Sequence, residues 1–249
     1  MIIRLILKEQ NLKSRKDTVF FAMNKIELLQ SVSIFWDLTD KELGYISEKM
    51  VHKSYEHGQM ILLEESEGEQ CFFVTKGSVK ITRLSKEGRE VILAILNDGD
   101  FFGEMSLLDG ESRSANVIAL EDTEVLTLNR DDFLTVLNDY PHIAILLLKE
   151  MAHRLRKSDR QIASLSLSAA EKRIALCILR IAEEQGVIQK GHVSIPRAPI
   201  QQDIANMSGT SRETVSRALK LLEKEGFVQR NGRELIIHDY NQFVEEFDS

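Results

Sequence analysis

Apolar residues recur through the middle of this chain at alternating steps of four and three. Ala144, Leu148, Met151, Leu155, Ser158, Ile162, Leu165 and Ala169 form an a/d seam, the 3.5-residue period of a helix that pairs with another helix. Pro141 suits the first turn of such a helix, where its missing N–H would have had no partner. The other face carries Lys149, Glu150, Arg154, Arg156, Lys157 and Arg160, so the stretch predicts a dimerisation helix with one solvated side. Ser158 is the one polar seam residue. Either it is tolerated and helps fix register, or it marks a level at which something polar reaches the dimer axis.

On either side of this helix the period changes. Asn24–Val51 reads as short helices, with a Thr39-x-x-Glu42 capping box leading into the stripe Leu43, Ile46 and Met50. From Ser54 to Asn129 the chain breaks into short segments rich in Val, Ile and Phe, at 60–63, 71–74, 79–84, 90–96, 116–120 and 124–128. Gly58, Gly68, Gly77, Gly88, Gly99 and Gly110 punctuate them, a spacing that predicts an all-β sandwich or jelly roll. Beyond the long helix, small residues (Ser164, Ser166, Ser168) mark a hinge near Ser166–Ser168, and helical periodicity returns.

Pro199–Met207 then reads as a short helix, Ser208-Gly209-Thr210 as a turn, and Thr210-Ser211-Arg212-Glu213 as a second capping box. Val215, Ala218, Leu219 and Leu222 give the following helix one buried face. Phe227-Val228 and Leu235–Ile237 flank Asn231-Gly232, a hairpin signal with the basic tip Gln229-Arg230-Asn231-Gly232-Arg233. A helix–turn–helix with a wing is the expected unit. The fold class is α+β: an N-terminal β jelly roll, a long dimerisation helix and a C-terminal winged helix–turn–helix. The expected boundaries are a tail over 1–24, a sensor over 25–138, the helix over 139–167 and the winged domain over 168–249. Met23-Asn24-Lys25 is an alternative start that would leave residues 1–22 outside the native protein.

Composition narrows the class. The 249 residues are 43% hydrophobic, ample for a buried core, and the net charge of −7 argues against a uniformly basic nucleic-acid coat while leaving room for a local basic face. Cys71 and Cys177 lack the spacing of a disulfide framework or metal site, which fits a reducing cytoplasm. The apolar run Ile143–Leu148 is far shorter than the ~20 residues that span a bilayer, so no membrane partner is expected. No nucleophile–base pair, metal-ligand spacing or nucleotide-hydrolysing loop is evident, so an enzyme is not expected.

Two constellations carry chemistry. Asp98-Gly99-Asp100-Phe101-Phe102-Gly103-Glu104-Met105-Ser106-Leu107-Leu108 ends a strand and opens a helical turn, with Arg113-Ser114-Ala115 close behind. Glycine at the mouth of a short helix lets backbone N–H groups converge on an anion. Arg113 could add a fixed positive charge and Ser114 a hydroxyl donor. Glu104 suits a sugar hydroxyl better than a phosphate, so the set fits a ribose phosphate. The alternative is that Glu104 and Arg113 pair with each other across a jelly-roll corner. In the second constellation, Arg212, Glu213, Ser216, Arg217 and Lys220 line the exposed stripe of the second helix. Arginine can grip guanine O6 and N7, and glutamate can accept from cytosine N4. The competing reading is a solvated charged face, which would leave the turn and hairpin spacing unexplained.

In this order, these motifs resemble the cyclic-AMP receptor/fumarate–nitrate regulator superfamily of bacterial transcription factors, from about Ile26 to Ile237. Gly103-Glu104-Met105-Ser106-Leu107 with Arg113-Ser114-Ala115 resembles the family's phosphate-binding cassette. Ser211-Arg212-Glu213-Thr214-Val215-Ser216-Arg217 resembles its recognition helix. The resemblance implies that Gly103 and Glu104 meet a ribose, with Met105 and Ser106 in the same cassette, and that Arg113 and Ser114 meet a cyclic phosphate. It implies DNA contacts along Ser211, Arg212, Glu213, Thr214, Ser216, Arg217 and Lys220, with Arg230 on the wing. Where cyclic-AMP receptors present a Thr-Ser pair to the purine, this chain has Ser158 and Asp159. That departure opens the base identity: cyclic AMP is the first expectation, with cyclic GMP or a cyclic dinucleotide as alternatives. The N-terminal cysteine cluster of the iron–sulfur members is absent, and so is a histidine between His57 and His142 for haem.

The expected protein is thus a cytoplasmic homodimer that binds double-stranded DNA at a palindromic operator under an effector, with RNA polymerase as partner through the loop Gln185–His192. The alternatives are a regulator of this superfamily that needs no ligand or another one, and a nucleotide-binding regulatory subunit of a kinase or channel.

Overall fold

The computed structural model describes residues 25–30, 32–189 and 192–247. They fall into two compact units, one reaching Arg83 and including Ala94–Met151, the other comprising Leu84–Leu93 and the chain from Ala152 on. The alternative start at Met23 lies outside the described residues.

The first unit opens with helix α1 (25–30), a 3-10 turn at Ser33–Phe35 and helix α2 (Asp40–Lys49). The Thr39–Glu42 capping box is present in both directions, with the Glu42 carboxylate accepting from the Thr39 N–H at 2.8 Å. Eight strands follow: β1 (Val51–Tyr55), β2 (Met60–Leu62), β3 (Gln70–Lys76), β4 (Val79–Leu84), β5 (Glu90–Leu96), β6 (Phe101–Phe102), β7 (Asn116–Ala119) and β8 (Thr123–Asn129). The short helix α3 (Met105–Asp109) separates β6 from β7. One sheet has the order β1-β8-β3-β6 and the other β2-β7-β4-β5.

Strand β3 shows why its run Cys71–Val74 is apolar without a break. Phe72 and Val74 point into a core shared with Val79, Phe102, Val117 and Val125. Their neighbours Cys71 and Phe73 point the other way, into a second core of Phe35, Leu43, Ile46, Phe133 and Val136. A strand covered on both faces has no polar side to show. Phe72 and Phe102, paired across β3 and β6, stack with ring centroids 5.0 Å apart.

Helix α4 (Arg130–Asp139) was not foreseen. Asn129 caps it by accepting from the Asp132 N–H, and Phe133 and Val136 alone are fully buried, too few for a clear stripe. Strand β1 was missed because its burial alternates weakly over polar residues. Helix α5 (Pro141–Leu167) is the long helix. Its first turns are apolar all round for a reason: Ile143 and Leu147 enter the sensor core, while Ile145 and Leu148 stay exposed. The seam ends earlier than expected, since Ala169 lies beyond α5 as the N-cap of the next helix and Ser166 is still helical. The break falls at Ser168–Ala169.

The second unit carries α6 (Ala170–Gln185), β9 (Val187–Gln189), β10 (His192–Ile195), α7 (Gln201–Ser208), α8 (Arg212–Lys224), β11 (Val228–Asn231), β12 (Glu234–Ile237) and α9 (Tyr240–Phe247). Its sheet has the order β11-β12-β10-β9. Of the expected loop 185–192, Gln185 ends α6, Val187–Gln189 and His192 lie in the antiparallel strands β9 and β10, where Ile188 faces Val193, and 190–191 lie outside the described residues. Helix α9, also unforeseen, closes the domain through Phe243 and Phe247, whose rings lie 5.8 and 5.4 Å from Phe227.

Candidate functional site

Arg113 is the centre of the first site. It is 5% exposed and its guanidinium is held from two sides. Nη1 donates to the Gly103 carbonyl at 2.6 Å and to the Ser106 hydroxyl at 2.8 Å, and Nη2 donates to the Gln70 carbonyl at 2.6 Å. Nε is buried and has no hydrogen-bond partner among the described residues. Burial pulls the guanidinium below the usual arginine range, opposed by the Glu104 charge nearby; an anion at this place would offset the desolvation.

The backbone explains the two glycines around it. Gly103 has φ +80, and a Cβ there would lie 2.8 Å from Arg113 Nη1. Gly68 has no left-handed φ, unlike Gly58, Gly77, Gly88, Gly99 and Gly110. It is glycine because a Cβ would stand 2.1 Å from the Ser106 Oγ. What reads in the sequence as one more turn glycine is therefore a close approach to the cassette. Arg130 at the start of α4 adds a bond from Nη1 to the Ser106 carbonyl at 3.3 Å.

Of the expected cassette residues, Gly103, Ser106 and Arg113 are thus directly bonded together. Glu104 is buried at the N-terminal end of α3, whereas Met105 and Ser114 are exposed, the Ser114 hydroxyl lying 4.0 Å from the Met105 sulfur. Ser158 and Asp159 sit on the exposed side of α5, in the other unit. Gly68, Gln70 and Arg130 were not foreseen. They come from segments distant in sequence, and only their contacts with Arg113 and Ser106 mark them.

The second site is α8. Its cap differs from expectation: Ser211, not Thr210, is the N-cap, and its hydroxyl accepts from the Thr214 N–H at 3.2 Å. The buried face is Val215, Ala218, Leu219 and Leu222, as the period predicts. Ser211, Arg212, Glu213, Arg217 and Lys220 are exposed, and Thr214 and Ser216 half-exposed, so the helix presents one polar stripe. Its own backbone N–H and the Ser211 hydroxyl hold the Glu213 carboxyl below the usual range, which keeps it an acceptor near neutral pH. In the wing, Asn231 pairs with Glu234, so Gly232 (φ +64) and Arg233 form the turn, one step later than the Asn-Gly reading. Arg230 faces back toward α8, where it is bonded to Glu223.

Among the described residues no group of His, Cys, Asp and Glu could hold a metal ion, and no helix is long and apolar enough to cross a membrane.

Residues 52–140 match the cyclic nucleotide-binding domain family, and 172–245 match the Crp-like helix-turn-helix domain. The chain is 36% identical to the cyclic AMP receptor protein of Thermus thermophilus, over 79% of this chain and 88% of that one. It is 27% identical to a CRP-like cAMP-activated global transcriptional regulator of Mycobacterium tuberculosis, over 86% and 95%. Among solved structures, FixK2 from Bradyrhizobium japonicum superposes with a TM-score of 0.71 at 25% identity, covering 80% of this chain and 98% of that one. On these matches the chain belongs to the cyclic-AMP receptor/fumarate–nitrate regulator superfamily and is a DNA-binding transcription regulator with a cyclic-nucleotide-binding domain.

Proposed function

We propose that this protein is a homodimeric regulator whose grip on a two-fold symmetric operator is controlled by a cyclic nucleotide, with cyclic AMP the first candidate. The observation that carries the ligand reading is the buried Nε of Arg113, which has no hydrogen-bond partner among the described residues, with the exposed Ser114 next to it in sequence. A cyclic phosphate would take both donors. Gly103 and Glu104 would meet the ribose, with Met105 and Ser106 in the cassette wall, and the base edge would meet Ser158 and Asp159 on α5. A carboxylate accepts hydrogen bonds, so Asp159 favours a base edge rich in N–H donors, which keeps cyclic GMP in the comparison.

Dimerisation would use the seam of α5. Leu148, Leu155 and Ile162 are 67, 64 and 61% exposed, large apolar side chains in a row that a partner helix would cover. A parallel pair of such helices relates two copies of α8 by a dyad, so half-sites would lie about one helical turn apart. Ser211, Arg212, Glu213, Thr214, Ser216, Arg217 and Lys220 would meet DNA, and Arg230 would serve by holding the wing. A ligand that binds one arrangement of the helices better than the other would set the balance between them. The β9–β10 hairpin, where Val187 is 47% and Ile188 82% exposed, offers an apolar edge for RNA polymerase.

Calorimetry with cyclic AMP, cyclic GMP and cyclic dinucleotides tests the ligand. Cyclic AMP is expected to bind the wild type, and Arg113→Ala to abolish binding of every cyclic phosphate. Unchanged affinity in Arg113→Ala would remove the cassette from the reading. A changed base preference in Asp159→Ser supports the contact at α5.

A further inference from the structure

The last turn of α5 and the turn of the helix–turn–helix meet in the second unit, and one side chain joins them. Arg173, in the first turn of α6, donates from Nη1 to the Ser168 carbonyl at 2.9 Å, just past the end of α5. The same guanidinium donates from Nε to the Ser208 carbonyl at 2.9 Å and from Nη2 to the Gly209 carbonyl at 3.1 Å. Ser208 ends α7, and Gly209 is its left-handed cap (φ 61), two residues before the N-cap of α8. A helix C-terminus leaves carbonyls without intrahelical partners and carries partial negative charge. Arg173 answers that need at two helix ends at once, and its planar fork fixes their spacing in a way that a lysine's single ammonium does not.

A second contact runs alongside. A Cβ on Gly209 would stand 2.9 Å from Leu165 Cδ2, so the seam residue Leu165 packs directly on the turn. Any roll of α5 that moves Leu165 and Ser168 is therefore felt at Gly209.

We propose that Arg173, with Leu165, is the positioning link that sets the recognition helix α8 from the end of the dimer helix. This rests on the reading of a ligand-controlled DNA-binding protein, and goes beyond it by naming the side chain that carries the control. Arg173 touches neither nucleotide nor DNA in this scheme. It acts on α8 through the turn.

The test uses the full chain, cyclic AMP and a symmetric duplex with two half-sites of TGTGA, the sequence that the family resemblance suggests. In wild type, cyclic AMP is expected to tighten DNA binding about tenfold, an ordinary coupling. In Arg173→Ala the response is expected to fall to roughly twofold or less, with the cyclic AMP affinity of the free protein unchanged. Arg173→Lys should restore only part of it. Hydrogen exchange without nucleotide supplies the second readout. Amides of 209–216 should exchange faster in Arg173→Ala while those of the wing, 228–237, keep wild-type rates. A merely structural arginine would loosen both segments together, and that result, like unchanged exchange or a retained cyclic AMP response, would overturn the proposal. If wild-type DNA binding ignores cyclic AMP, the ligand-control reading fails by itself, and the exchange pattern alone decides whether Arg173 positions α8.

Discussion

Arg230 of the wing and Glu223 of the recognition helix are joined by two parallel hydrogen bonds, Nε to Oε1 at 2.8 Å and Nη2 to Oε2 at 2.7 Å. Both side chains are 30% exposed. The fork ties β11 to the last turn of α8, so the wing tip, where Arg233 is exposed, is carried on that helix. A double-mutant cycle of Arg230→Ala and Glu223→Ala should give a coupling of about 1 kcal/mol, the upper part of the range for partly exposed pairs with bidentate geometry. The Arg230 hydrogen bonds hold the Glu223 carboxyl below its ordinary value of 4.5. A depressed carboxyl contributes stability that is complete above that value and lost as pH falls through the folded one. The coupling should therefore be flat from neutral pH down to about 5 and vanish at lower pH. As a brace, Arg230 should leave the salt slope of DNA binding unchanged on truncation. A slope smaller by about one would mean a direct phosphate contact instead.

Gly68→Ala should damage the nucleotide site without touching a ligand contact. The added methyl must displace Ser106, whose Cβ would lie only 2.4 Å away, and Ser106 accepts from Arg113. A loss of stability of about 1–3 kcal/mol is expected from overpacking, together with weakened cyclic AMP binding. Thermal unfolding and calorimetry on the one variant measure both effects.

Glu65 is the one described residue other than glycine with a left-handed backbone, at φ 67. Two bonds pin it there: its N–H donates to the Arg113 carbonyl and the Arg113 N–H donates to the Ser66 carbonyl, both at 2.9 Å. A side chain in this region costs roughly 1–2 kcal/mol that glycine avoids, less the greater freedom glycine has when unfolded. Glu65→Gly should accordingly raise stability by about 0.5–1 kcal/mol in denaturant titration. Destabilisation would show that the Glu65 side chain has a contact worth more than the strain.

Much of this architecture is legible in the residues, for identifiable reasons. Periodicity marks α8 because one of its faces is buried and the other open, and α5 because its apolar residues fall on one seam; the turn glycines mark the jelly roll because, Gly68 apart, their left-handed φ values disfavour other residues. Residues 130–139 gave no such signal, since α4 buries only two side chains fully. Asn231-Gly232 is a strong hairpin dipeptide and predicts a turn one residue early, whereas the pairing of Asn231 with Glu234 sets the turn at Gly232-Arg233. Arg113 and Ser114 could be picked out by charge and spacing. Gly68, Gln70 and Arg173 could not, because their roles consist of backbone carbonyls and close approaches that no local pattern encodes.

The seam of α5 yields a prediction on assembly. Sedimentation of the nucleotide-free protein at micromolar concentration should show a dimer, and Leu155→Asp should shift it toward monomer by placing a charge in a packed row. A wild-type monomer would mean that ligand, rather than the seam, drives pairing.

The most direct measurement is a binding titration of the full chain against a symmetric duplex with two TGTGA half-sites, with and without cyclic AMP, in wild type and in Arg113→Ala. The account predicts that cyclic AMP tightens wild-type binding about tenfold, that binding weakens steeply with salt, and that Arg113→Ala binds DNA with no response to the nucleotide. Equal affinity with and without cyclic AMP in the wild type, or a nucleotide response that survives in Arg113→Ala, would contradict it.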